Sequence, residues 1–219
     1  MLFRSLVMTT DNFIQQLTDR YAEGLPGREH QFKMAAAIRR TMAPAPDDAR
    51  VAAVLVLLFP KNGAWHVVLT ERTGSTRDPH SHQISFPGGS LEAEDASLEA
   101  CALRETEEEI GVAPSAIKVV GALTDIYIPP SNFQVYPFLA WTPSAPTYRR
   151  QPSEVAQVLE TPLSILQNPD NWQLTDIRIH ENLLLNDVPY FDVFGKKVWG
   201  ATAMMLSELL ELTRFTIHH

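Results

Sequence analysis

A single cysteine, Cys101, stands in 219 residues, which excludes an intrachain disulfide and suits a reducing compartment. Basic residues are scarce as well: 18 Lys and Arg against 26 Asp and Glu leave a net charge of −8. That deficit argues against broad electrostatic binding to nucleic acid or to an anionic membrane. A polyphosphate ligand would need local help, from a metal ion or from positioned arginines. No apolar run approaches the length of a transmembrane helix. The opening MLFRSLVM is too short for a signal peptide and has no cleavage-like site. Internal repeats and low-complexity segments are also lacking. Together these absences predict a cytoplasmic protein that partners neither nucleic acid nor membrane.

What is present is enough apolar residue, 45% of the chain, for a proper core. Thr10 and Asp11 are placed to cap a helix whose apolar residues Phe13, Ile14, Leu17 and Tyr21 recur at helical spacing, with LPG ending it. A second helix is expected over His30 to Met42. Arg39 and Arg40 fall on its solvated face by default, a ligand contact being the alternative. The Pro/Ala/Asp stretch from Ala43 to Asp48 then reads as a linker, dividing an N-terminal helical extension (1–48) from a main domain (49–219). RVAAVLVLLF is a continuous apolar run of the kind buried on both faces of a sheet. Asn62-Gly63 is a hairpin turn into WHVVLTER. IKVVGALTDIYI, FQVYPFLAW and EVAQVLE read as further strands, the last leading through Pro162 into a helix at Leu163 to Leu166. IRIHENLLL and VPYFDVF suggest a hairpin around Asn186-Asp187, and a helix from about Val198 to Thr213 closes the chain. Strands interleaved with two long helices imply a mixed sheet covered on both faces, an α/β fold.

One stretch carries most of the chemistry: GGSLEAEDASLEACALRETEEEIGV, residues 88–112. Asp95 is a plausible N-cap and Gly111 the stop, with Pro114 just beyond. At roughly 100° per residue, Glu105, Glu108 and Glu109 share one arc, with Arg104 on its border. Leu103, Thr106 and Ile110 lie opposite, toward a core. A Glu-rich helix is ordinarily a solvated face. Here Glu107, Glu108 and Glu109 crowd the last turn, where the helix dipole disfavours negative charge. Glu105 also makes like-charge pairs with Glu108 and Glu109 at i,i+3 and i,i+4, each costing a few tenths of a kcal/mol. A divalent cation would turn that repulsion into coordination. Cys101, near the arc, reads as a small buried helix residue.

The same stretch resembles the box of the Nudix hydrolase family, in which a glycine and a loop lead into a helix reading Arg-Glu-hydrophobic-x-Glu-Glu-x-Gly-hydrophobic. Arg104, Glu105, Glu108, Glu109, Gly111 and Val112 match. Thr106 replaces an apolar residue, and one extra residue between Gly89 and Arg104 leaves the early acidic position open between Glu94 and Asp95. The resemblance implies an α/β/α sandwich with a mixed sheet and a loop-helix-loop catalytic box. It also implies a site for Mg²⁺ or Mn²⁺ on Glu105, Glu108 and Glu109, with the Gly89 carbonyl as a further ligand. Glu154 falls where many members carry an acidic residue near the metal.

Upstream, LTERTGSTRDPHSHQISFPGG is similar to the signature of the coenzyme A pyrophosphatase subgroup, through Leu69, Thr70, Arg72, Arg77, Gln83, Phe86, Pro87, Gly88 and Gly89. Thr73 stands for Ser or Ala, His82 for Gly, and one residue is inserted after Arg77. Arg72 and Arg77 suit phosphate oxygens, which guanidinium groups bind bidentately; an ion pair at a strand end is the alternative for Arg72. Gln83 and Phe86 complete the substrate-binding candidates, Phe86 and Pro87 also shaping the turn. His80 and His82 read as polar loop residues, because nothing nearby completes a soft-metal set. Tyr127 and Phe133 could stack a base or simply pack.

The resemblance thus implies an enzyme that cleaves the diphosphate of CoA or an acyl-CoA to 3′,5′-ADP and (acyl-)4′-phosphopantetheine, with Glu105 as general base held by Arg104. The rivals are a Nudix pyrophosphatase for ADP-ribose, NADH or a nucleoside triphosphate, and a non-catalytic nucleotide sensor. The apolar C-terminal region could build a homodimer interface or the core.

Overall fold

The computed structural model describes residues 10–41, 44–74, 83–180 and 183–215; Arg77, His80 and His82, and the side chain of Arg40, lie outside the described residues. Helix α1 (Thr10–Glu23) forms as its spacing requires and buries Phe13 and Leu17. Helix α2 (Gly27–Gln31) is short and continues only as 3₁₀ turns at Phe32–Met34 and Ala37–Thr41. The single helix expected over His30 to Met42 is therefore broken. Met34, Ala35 and Ala36 are consecutive and all buried, which no one face of a helix allows. The backbone turns extended at Ala35 (φ −95°, ψ 136°) to achieve it.

Strand β1 (Arg50–Lys61) is the centre of the fold. Its side chains alternate. Ala53, Leu55, Leu57 and Phe59 join one core cluster, and Ala52, Val56 and Leu58 the other. Asn62 and Gly63, both at positive φ (52° and 76°), turn the chain into β2 (Ala64–Arg72). Two short strands follow, β3 (Ile84–Ser85) and β4 (Gly88–Ser90), then helix α3 (Leu98–Ile110). The segment expected as one strand from Ile117 splits into β5 (Lys118–Ala122) and β6 (Ile126–Ile128). Next come β7 (Phe133–Trp141), β8 (Val155–Pro162) and helix α4 (Leu163–Gln167). A smaller sheet of β9 (Trp172–His180), β10 (Leu183–Val193) and β11 (Lys196–Trp199) precedes helix α5 (Gly200–Leu212). The hairpin expected around Asn186-Asp187 is instead a bulge inside β10, between Leu185 and Val188, with Asp187 at φ 51°. A residue that tolerates positive φ serves a bulge as well as a turn.

The main sheet runs β3-β2-β1-β7-β5, with β4 added on β1, β6 on β7 and β8 on β2. Only β1 and β7 pair in parallel among the described strands. Helix α3 covers one face through Cys101, Ala102 and Ile110. Helix α5 covers the other, joined there by Phe13 and Leu17 of α1 and by Met34. This is the α/β/α sandwich. The N-terminal segment shares the core of the residues after 48, with Phe13 stacked on Trp65 at 4.1 Å between ring centroids.

Candidate active site

The site is built where β4, α3, the end of β2 and the start of β8 meet. Strand β4 pairs with β1, setting Gly89 opposite Ala53. Helix α3 then starts at Ser97, whose Oγ accepts from the Ala100 N–H at 3.1 Å. Ser97, and not Asp95, is thus the N-cap. At the other end Gly111 adopts φ 74° and donates its N–H to the Glu107 carbonyl at 2.8 Å, a left-handed stop.

Asp95 has a different task. Its carboxylate receives Arg104 Nε and Nη2, each at 2.9 Å, in a bidentate pair. The Arg104 guanidinium holds this carboxyl well below the usual carboxylate range, and its own pKa is raised in return, first by Asp95. Arg104 has further hydrogen bonds to Glu105 Oε1 (3.0 Å), Glu108 Oε2 (3.2 Å) and the Ser90 carbonyl (3.2 Å). It is therefore a hub that fixes the box loop to the helix and aims Glu105.

The three box carboxylates sit in unlike environments. Glu108 is exposed and pairs with Arg104. Glu105 is half-buried, and its carboxylate lies flush on Gly89. A Cβ at Gly89 would stand 2.5 Å from Glu105 Cδ, so any larger residue there would push that carboxylate aside. Burial raises the Glu105 pKa against the pull of Arg104. Glu109 is deepest, 4% exposed. Among the described residues, its carboxylate accepts one hydrogen bond, from the Gly88 N–H at 3.2 Å. Burial pushes its pKa up to about 8, with Glu105 and Glu154 adding to the rise, while the Gly88 N–H and the charge of Arg72 oppose it. The arc read from the sequence is thus graded by depth. The buried face of the helix carries Cys101, Ala102, Thr106, Glu109 and Ile110, so it overlaps the arc at Glu109, while Leu103 is only half-buried. Cys101 is buried with its Sγ 3.4 Å from the Ser90 carbonyl, and burial raises its thiol pKa to about 11. It is the inert core residue expected.

Glu154, from the turn before β8, is close enough to Glu105 and Glu109 to raise both. It is tied to the end of β2, where the Thr73 N–H donates to its carbonyl at 2.8 Å. The strap leading to it crosses the C-terminus of α3: Arg149 N–H donates to the Ile110 carbonyl and Gln151 N–H to the Glu109 carbonyl, both at 2.8 Å. Arg72 ends β2, its N–H bonded to the Gln83 carbonyl at 3.0 Å. Phe86, offered by the sequence as a substrate contact, is 2% exposed and packs in the α5-side core with Ile84. It packs beneath the β3–β4 turn, with almost no surface left for contact with a ligand. The residues missed by sequence reasoning are Asp95 as the anchor of Arg104 and Ser97 as the cap. The Ser-x-x-Ala run after Asp95 lacks the Glu or Gln of a capping box, so two candidates for one cap were present.

Among the described residues, no three His, Cys, Asp or Glu side chains are gathered closely enough to hold a metal ion as they stand. Glu105 and Glu108 are instead both hydrogen-bonded to Arg104. The donor set nevertheless suits a hard divalent cation. It is made of carboxylate oxygens, with Glu109 buried on a single N–H donor and like charges converging from Glu105 and Glu154.

A NUDIX domain matches residues 49–183. The chain is 34% identical over 174 residues to the Nudix hydrolase NudL of Cronobacter sakazakii, itself uncharacterized, covering 78% of this chain and 87% of the relative. NudL of Shigella flexneri is 34% identical over 166 residues, 75% and 83% of the two chains. Among solved structures, the Nudix hydrolase RenU of M. smegmatis shares the fold with a TM-score of 0.53, 15% identity, and coverage of 78% and 91%. A MutT/nudix family protein of Enterococcus faecalis does so at 0.50, 14%, 84% and 72%. The chain belongs to the Nudix family. It is accordingly a hydrolase of phosphoric anhydrides, acting on nucleoside diphosphate derivatives, in a family that generally uses a divalent metal ion.

Proposed function

We propose that this Nudix hydrolase cleaves the diphosphate of coenzyme A or an acyl-CoA, releasing 3′,5′-ADP and (acyl-)4′-phosphopantetheine. The observation that carries the reading is the juxtaposition of Arg72 with Glu109. The arginine of the upstream CoA-like signature lies within electrostatic reach of the deepest box carboxylate. A diphosphate can then meet a cation-binding cluster and a phosphate-binding guanidinium together.

Glu105, Glu108, Glu109, Glu154 and the Gly89 carbonyl are the groups that would hold Mg²⁺ or Mn²⁺. Such an ion supplies charge neutralisation at the diphosphate and acidifies a bound water. Arg104, locked by Asp95, orients Glu105, whose raised pKa suits it to take the proton from the attacking water at its carboxylate. Arg72 binds phosphate oxygens, and Arg77 and Gln83 join it from the same signature. The protein acts in the cytoplasm on a nucleotide-derived small molecule.

The test is hydrolysis of CoA, acetyl-CoA, ADP-ribose, NADH and dATP in parallel, with Mg²⁺ and with Mn²⁺, using Glu109→Gln as the blank. Faster turnover of CoA compounds, lost in the variant, is the expected result. Preference for ADP-ribose or NADH would leave the enzyme a pyrophosphatase and discard the CoA assignment. No turnover with nucleotide binding intact would point to a sensor.

A further inference from the structure

Away from α3 the molecule holds a cavity of about 500 Å³, a size that suits a small-molecule site. One wall is the sheet, presenting Tyr127 on β6 and Gln134 and Tyr136 on β7. The other is the N-terminal extension, presenting Arg28 and Arg39. The segment that matches the family begins at residue 49, so both arginines come from outside it.

The polar groups in this cavity are incompletely matched. Arg39 Nη2 donates to the Tyr127 carbonyl at 2.8 Å, and among the described residues no carboxylate pairs with it. Burial without a counter-anion lowers its pKa. Asp125 takes up Arg28 at 3.5 Å and also the Gln134 amide Nε2. That bond holds Gln134 with its Oε1 buried and without a donor. A desolvated guanidinium and an orphan acceptor in one cavity call for a ligand that brings both an anion and an N–H or O–H donor. Two tyrosines beside them suit a planar ring.

The cavity also lies in line with the carboxylates. Tyr136 is the β-partner of Ala53, and Ala53 is the β-partner of Gly89, which touches Glu105. Paired residues on adjacent strands share a face, so the row from Tyr136 to Gly89 spans two strand spacings, roughly 10 Å. A substrate with its diphosphate at the carboxylates has a path along that row.

We infer that this cavity receives the nucleoside half of the substrate, with Arg39 and Arg28 recognising a phosphomonoester on its ribose and Tyr127 and Tyr136 flanking its base. The inference rests on the nucleoside diphosphate reading above and deepens it. It assigns the N-terminal extension the role of distinguishing phosphorylated from unphosphorylated ribose.

The test is calorimetric titration of 3′,5′-ADP and of AMP in EDTA, where the metal site cannot contribute. The wild-type chain should bind 3′,5′-ADP about tenfold or more tightly than AMP, the scale of a charge-assisted hydrogen bond. In Arg39→Gln that preference should collapse while AMP affinity holds. Arg28→Gln, on a largely exposed side chain, gives the same reading if Arg39→Gln does not fold. Equal affinities in the wild type, or a preference that survives both substitutions, would overturn the inference. Hydrolysis is scored separately: a binding preference that collapses as expected, with no turnover of CoA, keeps the cavity and removes the CoA assignment.

Discussion

Two glutamates lie almost equally deep on opposite faces of the sheet, and they differ in how many donors they meet. Glu208 on α5 is 0% exposed. Its carboxylate accepts from Gly27 N–H (3.3 Å), Gln31 Nε2 (2.9 Å), and Thr124 N–H and Oγ1 (3.3 and 2.6 Å). Among the described residues, Glu109 on α3 has the Gly88 N–H as its one hydrogen-bond donor, with the charge of Arg72 also near. A buried carboxylate with four donors is a joint, here fastening the N-terminal segment and the turn after β5 to α5. One with a single such donor and two like-charged neighbours is held at an energetic disadvantage, which supports the metal-binding role proposed for Glu109. Depth alone does not separate the two. Donor count does.

The comparison can be broken most directly by exchanging the consequences. Glu109→Gln should lower kcat by about a thousandfold, or ~4 kcal/mol of barrier, with no loss of thermal stability in EDTA. A variant that melts early but still turns over would reverse the assignment. Glu208→Ala strands its donors and should cost about 3–5 kcal/mol. That is a fall in Tm of roughly 6–20 °C, with turnover at low temperature within about twofold of wild type. Differential scanning calorimetry beside a kinetic assay reads both variants.

Arg104→Lys gives an intermediate effect. Lysine keeps the charge and loses the bidentate contact with Asp95, so Glu105 is no longer aimed. kcat should drop by about tenfold to a hundredfold, and Asp95→Asn should drop it in the same direction. Unchanged kcat in both variants would show that Glu105 needs no such support.

A further effect is in pH. The Glu109 carboxyl has a pKa near 8 when folded, against 4.5 as the ordinary value. Between those values the unfolded chain releases a proton that the folded chain retains, so stability falls as pH rises. Metal-free protein should therefore lose Tm from pH 5 to pH 8 more steeply than Glu109→Gln does. Added Mg²⁺ should raise Tm most at the upper end. Parallel slopes for the two proteins would mean that burial does not perturb Glu109.

The elements that follow one rule were legible from residues alone. The β1 run, the Asn62-Gly63 hairpin, α1, α3 and α5 each have a period or a turn dipeptide that a single environment satisfies. The stretch 27–41 was not legible, because its burial is set by contacts with α5 and the turn after β5, and consecutive residues are buried together. Asn186-Asp187 misled because positive φ serves both a bulge and a turn. In the site, the Arg-Glu-x-x-Glu-Glu spacing located the carboxylates, but their grading depends on what lies above each one. Glu109 sits beneath the β3–β4 turn and Glu108 faces solvent, which helical spacing cannot distinguish. Phe86 follows the same logic in reverse: an aromatic residue beside a motif was offered to the ligand, and the sheet claimed it for the core.

The strap across the end of α3 bears on how this protein can tolerate change in length. Surface connections usually absorb insertions and deletions easily. Here the peptide N–H groups of Arg149 and Gln151 are pinned to the last carbonyls of the helix, and a Cβ at Gly111 would stand 2.7 Å from Arg149 Cβ. The four residues from Gln151 to Glu154 then fix where that carboxylate arrives. A one-residue insertion between 151 and 154 would leave every side chain of the site intact and still carry Glu154 away from Glu105 and Glu109. Loop length at this point is therefore under the same restraint as residue identity in the helix.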